Sequence, residues 1–194
     1  AILMDYLDGA LLQSSGLTES LAYEIGSLLA SIHLHRTTEY GDVIATESLD
    51  ATPIKHFSFK FNEGLAECKD NLSSNALKKC REYYDNNVHL LLATDGPCII
   101  HRDFRPGNII IKDNKVQGII DWASARSGFA EDDFCPMELG EWSSNAANKT
   151  AFLSGYSSIR PVPKYETVMP LLLLNRAIAT IGFTVKRGTW DNTS

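Results

Sequence analysis

The chain has few cysteines and no long apolar run. Its four cysteines are Cys68, Cys80, Cys98 and Cys135. They form no CxxC pair and accompany no cluster of histidines, so neither a zinc site nor a disulfide framework is indicated. No segment approaches the roughly 18 uninterrupted apolar residues of a membrane span, and Asp5 and Asp8 interrupt the apolar start that a signal peptide would need. We therefore expect a cytoplasmic protein with reduced thiols and no membrane partner.

Positive charge is also scarce. The formal net charge is −6 and the pI is about 5.3, which argues against a nucleic-acid partner, because phosphates demand a basic face. An acidic surface of this size is compatible with a cationic ligand, but it is more often an ordinary solvated surface. With 194 residues, of which 44% are hydrophobic and 22% charged, residues 1–194 are expected to form a single folded domain.

Apolar residues recur at helical spacing in several segments, which predicts a mostly helical chain. The expected helices run from the N-cap Thr18 through Ile32, in two pieces between Phe57 and Leu92, from Asp132-Asp133 through Trp142, and from Pro170 through Val185. The polar, small-residue segment 143–149 is expected to be a loop.

The segment from Gly96 to Trp122 carries the most specific pattern of the chain. Ile109 to Ile111 are β-branched, Asp113-Asn114 is a turn pair, and Val116 to Ile120 form a second apolar run. This order predicts a β-hairpin. The fold class expected from these patterns is α+β, with one hairpin among helices.

The turn position sets the register of this hairpin. With the turn centred on Asp113-Asn114, Asn108 lies opposite Ile119, and Asp121 lies one step beyond the same end of the ladder. Diagonal neighbours in a hairpin are about 7–8 Å apart, so one or two divalent ions could be held by both side chains. Hard oxygen ligands of this kind suit magnesium, which shares its remaining positions with water and phosphates.

Asp103 precedes the hairpin on a loop that contains Pro106 and Gly107. Its predicted role is that of a base, since in phosphoryl transfer one carboxylate accepts or orients the proton of the attacking hydroxyl. The alternative is that Asp103 and Asn108 only cap local turns, as Asp and Asn often do. The combination with Asp121 favours the catalytic interpretation.

The motifs HRDFRPGN, which spans His101 to Asn108, and IIDW, which ends at Trp122, resemble the catalytic and metal loops of the aminoglycoside phosphotransferase and choline kinase-like family. That family has a protein-kinase-like fold. The resemblance implies that Asp103 is the catalytic base and that Asn108 and Asp121 bind magnesium. LMDYLDG near the start is similar to the hinge between the two lobes of such kinases, and FLSGY with the last apolar segment is similar to their closing helices.

The resemblance also shows what this sequence lacks. It contains no GxGxxG turn, and no N-terminal lobe with a phosphate-pairing lysine. We expect residues about 1–9 to be a hinge remnant and residues about 10–194 to be a C-terminal lobe, with the N-terminal lobe missing from this chain. No APE motif follows Asp121, and Trp122-Ala123 replaces the Phe-Gly of DFG. A small-molecule hydroxyl is therefore a better acceptor than a protein.

Two positions depart from the family pattern. Arg102 stands where the small-molecule kinases usually carry Gly, and Arg105 stands where many carry His. Arg105 could approach the transferring phosphoryl group as a cation, or it could form a salt bridge to Glu131, Asp132 or Asp133. For His101, the resemblance implies anchoring of the backbone and no proton transfer.

The resemblance further suggests a nucleotide pocket and an acceptor cleft. The hinge backbone would bind the adenine edge, and two isoleucines of the hairpin would form an apolar floor that also belongs to the hairpin core. These nucleotide-binding candidates are Met4, Asp5, Tyr6, Leu7, Ile110 and Ile120. Four acidic residues could face a cationic acceptor or simply lie on a solvated helix face: Glu131, Asp132, Glu138 and Glu141.

These observations predict a phosphotransferase that uses ATP, or GTP in its place, with Mg²⁺ to phosphorylate a hydroxyl of a small molecule. The acceptor could be aminoglycoside-like, choline-like or a sugar, and its identity is not encoded in the catalytic loop. The competing hypothesis is a non-catalytic nucleotide-binding or interaction module derived from a truncated kinase.

Overall fold

The computed structural model describes residues 6–43, 49–140 and 145–189. The helices in this part of the chain are α1 (Glu19–His33), α2 (Pro53–Glu67), α3 (Ser74–Asn87), α4 (Cys135–Glu138), α5 (Ala146–Ser157) and α6 (Met169–Lys186). The strands are β1 (Ala10–Leu11), β2 (Cys98–Ile100), β3 (Ile109–Lys112), β4 (Lys115–Ile119) and β5 (Arg126–Gly128). The mostly helical α+β prediction is confirmed. No helix among the described residues is long and apolar enough to cross a membrane.

Three helices, α1, α3 and α6, begin at residues that favour a helix N-terminus. Thr18 caps α1 by accepting a hydrogen bond from the Leu21 backbone N–H, and Ser73 caps α3 in the same way through Ala76. Pro170 occupies the first turn of α6, where the backbone N–H has no partner within the helix.

The predicted helix from Asp132 through Trp142 is wrong in form. Residues 130–134 are a 3₁₀ helix that leads into the short α4, and Trp142 lies outside the described residues.

The core lies between two helix pairs. Helix α1 packs along α5, and α2 packs along α6. Leu21, Ile25 and Leu29 of α1 are almost completely buried in this core. At the α1–α5 contact the backbones approach closely, because Gly26 faces the Phe152 carbonyl and Gly155 faces the Tyr23 carbonyl. Side chains at these two positions would separate the helices.

Strands β3 and β4 form the hairpin, and β1 pairs with β3 to complete a three-stranded antiparallel sheet in the order β1-β3-β4. The predicted turn at Asp113-Asn114 is confirmed, since both residues have positive φ values. The predicted register holds only near that turn. A bulge at Gln117 shifts the pairing, so that Ile109 lies opposite Ile119. The expected pairing of Asn108 with Ile119 is therefore wrong by one residue. The Asn108 carbonyl accepts instead from the Ile120 N–H, at 2.9 Å.

A second, two-stranded sheet places the segment that leads to Asp103 beside the chain that follows Asp121. Strand β2 pairs antiparallel with β5, and Ile100 lies opposite Arg126. The backbone N–H of Gly41 bonds to the Ser127 carbonyl and extends the pairing on the other side of β5. The loop that begins at His101 therefore leaves a fixed strand end.

Candidate active site

The Asp103 carboxylate is held by three neighbouring side chains. Asn108 donates from Nδ2 to Asp103 Oδ2 and to the Asp103 backbone carbonyl, each at 2.8 Å. Arg105 Nε donates to both carboxylate oxygens, at 3.0 and 3.2 Å. Arg176 of α6 lies 3.7 Å from Oδ1. Asp103 and Asn108, five residues apart in the sequence, thus form one hydrogen-bonded unit.

These contacts set the charge of Asp103. Partial burial acts to raise its pKa, but the hydrogen bonds from Arg105 and Asn108 and the charge of Arg176 outweigh it, so the pKa of Asp103 lies below its ordinary value. The carboxylate is therefore ionised near neutral pH and can accept a proton or a hydroxyl hydrogen bond.

His101 anchors the backbone on both sides of the site. It is fully buried, and its Nε2 lies 2.9 Å from the Ile120 carbonyl. A carbonyl only accepts, so Nε2 carries the proton. Nδ1 then accepts from the Asp103 N–H, at 3.3 Å. A neutral imidazole thus ties the catalytic loop to the residue that precedes Asp121, as the resemblance implied.

Asp133 is the main residue of the site that the sequence did not single out. Its buried carboxylate accepts from the backbone N–H groups of His101 (2.8 Å) and Arg102 (2.6 Å), and it lies 3.1 Å from His33 Nε2. His33 in turn contacts the Tyr156 hydroxyl at 2.8 Å. This network fastens the catalytic loop to α1 and α5. The run of three acidic residues from Glu131 to Asp133, flanked by apolar residues, was the available signal.

Backbone strain accompanies this anchoring. Arg102 has a φ of 68°, in the left-handed region that favours glycine. This conformation is a physical reason for the glycine that related kinases carry here. The two backbone hydrogen bonds to Asp133 hold the chain in this conformation despite the Arg side chain.

Asp121 follows the end of β4 and lies at the same end of the hairpin as Asn108. Its φ and ψ are 63° and 57°, and its side chain is exposed. Within the described ranges, no hydrogen bond or ion pair holds its carboxylate. Trp122 Nε1 donates to the Ile119 carbonyl at 2.8 Å and fixes the chain just after Asp121.

The donor set fits a magnesium ion that shares its coordination with phosphates. Both side-chain hydrogen bonds of Asn108 use Nδ2, so Oδ1 is the acceptor left for a cation. Asp121 contributes a carboxylate without a competing partner in the described structure. No group of three or more His, Cys, Asp or Glu residues among the described positions could hold a metal alone. Magnesium commonly takes only one or two protein ligands beside substrate phosphates.

A cleft of about 510 Å³ opens beside Asp103. The catalytic loop contributes Arg102 and Asp103 to its wall, and α6 contributes Asn175 and Arg176. Asp132 also lines the cleft and pairs with Arg102 at 3.4 Å. The cleft is large enough for the body of a small molecule whose hydroxyl approaches Asp103.

An apolar surface lies on the face of the hairpin sheet opposite the core. Leu11 pairs with Ile110, and Ile110 pairs with Gly118, so these residues share one face. Leu7 packs over Gly118, where a Cβ would collide with its side chain. Ile120, opposite Asn108, belongs to the same face. Tyr6 is 85% exposed. Met4 and Asp5 lie outside the described residues.

The structure corrects two predictions about charged side chains near the site. Glu131 does not face a cleft, since it is 2% exposed and accepts from the Asp95 N–H at 3.0 and 3.1 Å. Arg105 does not pair with Glu131, Asp132 or Asp133, because its guanidinium turns back to Asp103 two residues earlier.

The remaining acidic candidates are Glu138 and Glu141. Glu138 binds Lys149 at 2.5 Å and does not line the cleft beside Asp103. Glu141 lies outside the described residues. Of the three acidic candidates that the structure describes, Glu131, Asp132 and Glu138, Asp132 is the one that lies in the wall of the cleft.

The chain forms a helical lobe with an HRD-type loop, and a hairpin carries Asn108 and Asp121 at one end. These features define the protein-kinase-like class of folds. Within this class, the model of the phosphotransferase enzyme family (APH) matches residues 1–148. The chain therefore belongs to this family. A comparison with curated proteins found no match.

Three solved structures share the fold. APH(2")-IIa in its gentamicin complex is 20% identical, with a TM-score of 0.70, and the match covers 96% of this chain and 66% of that chain. A candidate fructosamine-3-kinase from Thermobifida fusca YX-ER1 is 20% identical, with a TM-score of 0.73 and coverages of 97% and 67%. A thermostable mutant of APH(4)-Ia, solved with AMP-PNP and hygromycin B, is 11% identical, with a TM-score of 0.66 and coverages of 95% and 65%. The chain spans about two thirds of the length of these structures.

Proposed function

We propose that this chain is the catalytic lobe of an ATP-dependent kinase that phosphorylates a hydroxyl group of a small molecule. The observation that carries the proposal is the Asp103–Asn108 unit, which stands at the same end of the hairpin as the exposed Asp121 in a chain of the phosphotransferase family. Residues about 1–9 then correspond to the hinge and residues about 10–194 to the helical lobe. The length shared with the solved structures supports a further lobe in the whole protein.

In this proposal Asp103 orients the acceptor hydroxyl and takes its proton as the phosphoryl group is transferred. Its lowered pKa makes it a weak base. A weak base suits a loose transition state, in which the acceptor hydroxyl gives up its proton late. Asn108 fixes the carboxylate through Nδ2, and His101 and Asp133 fix the backbone on which the carboxylate stands.

Asn108 Oδ1 and the Asp121 carboxylate would hold magnesium. When bound, the ion neutralises charge on the nucleotide phosphates. Arg105 is proposed as a further phosphate contact, because it lies beside Asp103 and its guanidinium is partly exposed. A phosphoryl oxygen would then compete with Asp103 for this guanidinium.

The apolar face of the hairpin is the proposed nucleotide platform. Ile110 and Ile120 would contact the base and sugar from below, and the chain through Met4, Asp5, Tyr6 and Leu7 would bind the base edge. The structural neighbour solved with AMP-PNP supports an adenine nucleotide, and GTP is the alternative donor. The structural neighbours solved with gentamicin and with hygromycin B support a small hydroxyl compound as acceptor.

The test is magnesium-dependent ATP consumption by the protein encoded by the complete gene. The panel of acceptors contains aminoglycosides, choline, neutral sugars and hydroxy acids, and GTP is tested in parallel. We expect one class of acceptor to stimulate release of ADP. Absence of consumption with every acceptor, together with no nucleotide-induced thermal shift, would favour the non-catalytic module.

A further inference from the structure

A second, much smaller pocket adjoins the large cleft. Its volume is about 30 Å³, enough for about two water-sized groups. The two pockets share Arg102, Asp132 and Asn175 in their walls. A molecule whose hydroxyl lies at Asp103 in the large cleft can therefore extend a small terminal group into this pocket.

Arg126 is the cation that distinguishes the small pocket. It lies on β5 opposite Ile100. Ile100 is three residues before Asp103 in the sequence. Its Nη1 contacts His56 Nε2 of α2, and the Arg donates, so Nε2 carries no proton and His56 is neutral. Burial and the charges of Arg102 and Lys60 also lower the pKa of His56. The contact orients Arg126 without neutralising its charge.

The other charges that line the pocket already have partners. Arg102 pairs with Asp132 at 3.4 Å. Lys60 pairs with Glu63 at 2.8 Å, on the exposed side of α2. Arg126 has no carboxylate partner among the described residues, although the chain as a whole is acidic. A partly buried guanidinium without an anion is costly, and a bound anion removes that cost.

We propose that the acceptor is a hydroxy acid, whose carboxylate enters the small pocket and binds Arg126 while its hydroxyl lies at Asp103. This inference rests on the proposed kinase function. The pocket is small beside the main cleft, which suits a terminal anionic group such as a carboxylate better than a sugar ring. The same guanidinium repels an ammonium group, so a polycationic acceptor does not fit this end of the cleft.

The experiment compares acceptors that share hydroxyl groups and differ in charge. On the six-carbon skeleton the probes are gluconate, gluconamide, glucose 6-phosphate and glucosamine. On the three-carbon skeleton they are glycerate, glyceramide, glycerol 3-phosphate and 3-amino-1,2-propanediol. With the protein from the complete gene, we expect the carboxylate of at least one set to give the highest kcat/KM for ATP consumption.

The variant Arg126→Gln identifies the group responsible. We expect its KM for the carboxylate acceptor to rise roughly 10- to 100-fold, as loss of one charge-assisted contact implies, while the KM for ATP and for the amide stays unchanged. Arg126→Lys should restore part of the affinity. Lys78→Gln, on an exposed position of α3, removes one positive charge elsewhere and should change none of these constants.

The outcomes separate this inference from the kinase assignment. Turnover with an amine, a phosphate ester or a neutral sugar above that with the acids would overturn the hydroxy-acid proposal and leave the kinase function intact. The same holds if Arg126→Gln, with an unchanged melting temperature, keeps the wild-type KM for the acid. No consumption with any of these compounds, in a protein that consumes ATP with another class of the broader panel, would overturn the hydroxy-acid proposal alone. No consumption across the whole panel, together with no nucleotide-induced thermal shift, would reject both.

Discussion

Two aspartates of the catalytic loop region have opposite environments and different tasks. Asp103 is partly exposed and lies in the wall of the cleft, where its lowered pKa keeps it ionised. Asp133 is buried and receives three hydrogen-bonding groups, two of them from the backbone of the loop. Asp103 is open to the cleft, and Asp133 holds the backbone on which Asp103 stands.

For Asp103→Asn in the complete protein, we expect kcat to fall about 10²- to 10⁴-fold, the usual contribution of a positioned base. The nucleotide dissociation constant should stay within about twofold, because the apolar platform and Asp121 are untouched. Steady-state kinetics and nucleotide titration measure the two quantities. Wild-type turnover in this variant would remove Asp103 from the mechanism.

For Asp133→Asn, we expect a loss of about 2–4 kcal/mol in the free energy of unfolding, because one amide cannot accept from two backbone N–H groups and His33 at once. Urea denaturation measures the loss. Asp85→Asn is the matched control, since Asp85 is exposed and makes a weak ion pair with Arg81 at 4.0 Å. This substitution should change the free energy of unfolding by less than about 0.5 kcal/mol. Equal effects of the two substitutions would contradict a structural role for Asp133.

Among single residues, those defined by local pattern were predictable and those defined by three-dimensional contact were not. Asp103, Asn108 and Asp121 stand at fixed offsets around a hairpin. The importance of Asp133 depends on its proximity to backbone groups about 30 positions earlier, and no periodicity expresses that contact. The partner of Arg105 was missed for a similar reason, because several carboxylates compete and geometry decides.

At the scale of secondary-structure elements, the contact between α1 and α5 depends on two glycines. A Cβ at Gly155 would lie closer than 3.0 Å to the Tyr23 carbonyl oxygen, and one at Gly26 would collide with the Phe152 carbonyl in the same way. The collisions involve backbone atoms, which cannot turn aside as a flexible side chain can. These helices also carry His33 and Tyr156, so their separation would disturb the network behind the catalytic loop.

Gly155→Ala tests this contact. Helix propensity alone predicts a gain of about 1 kcal/mol, whereas the collision predicts a loss of about 3 kcal/mol or more, so the sign of the change decides between them. We expect the loss in urea or thermal denaturation. Gly16→Ala is the control, since no atom lies within 4 Å of its added Cβ, and it should be neutral or slightly stabilising. Stabilisation by Gly155→Ala would contradict the close packing.

Element boundaries followed from the sequence more closely than strand pairing did. Thr18 and the apolar periodicity correctly placed α1, and Pro170 and the following leucines placed α6. The hairpin register was wrong by one residue, because the bulge at Gln117 adds a residue to one strand only. The expected loop 143–149 was wrong from Ala146 onward, since the Asn145 side chain caps α5 there and the alanines that follow favour a helix.

At the scale of the whole molecule, net charge and site charge differ. The chain carries a net charge of −6, while in the described structure the walls around Asp103 contain Arg102, Arg105 and Arg176. Two of the acidic residues that the sequence assigned to the site do not face the cleft, because Glu131 is turned into the interior and Glu138 is paired with Lys149. Glu131 is the extreme case, because its burial raises its pKa to about 7.

The raised pKa of Glu131 makes stability depend on pH. Above the ordinary pKa of about 4.5 and below about 7, the folded protein retains a proton that the unfolded chain has lost, so the contribution of Glu131 to stability falls as pH rises. The loss is on the order of 3 kcal/mol across this window. Glu131→Gln removes it, and the stability of the variant relative to wild type should increase between pH 5 and pH 8.

Urea denaturation of both proteins at the two pH values measures this difference, and the subtraction cancels other titrating groups. The KM for the acceptor should be the same in both proteins, because Glu131 lies behind the Asp95 backbone and not in the cleft. A difference in stability that does not vary with pH would contradict the raised pKa.

Local patterns of spacing, capping and turn chemistry were enough to predict the class of fold, the main helices, the hairpin turn and the group formed by Asp103, Asn108 and Asp121. Only the folded chain shows which charges remain in the cleft, how the loop that carries Asp103 is anchored and that Arg126 lies in a small pocket beside the cleft. Those properties depend on burial and on pairing between residues far apart in the chain, and desolvation and distance act only after the chain has folded.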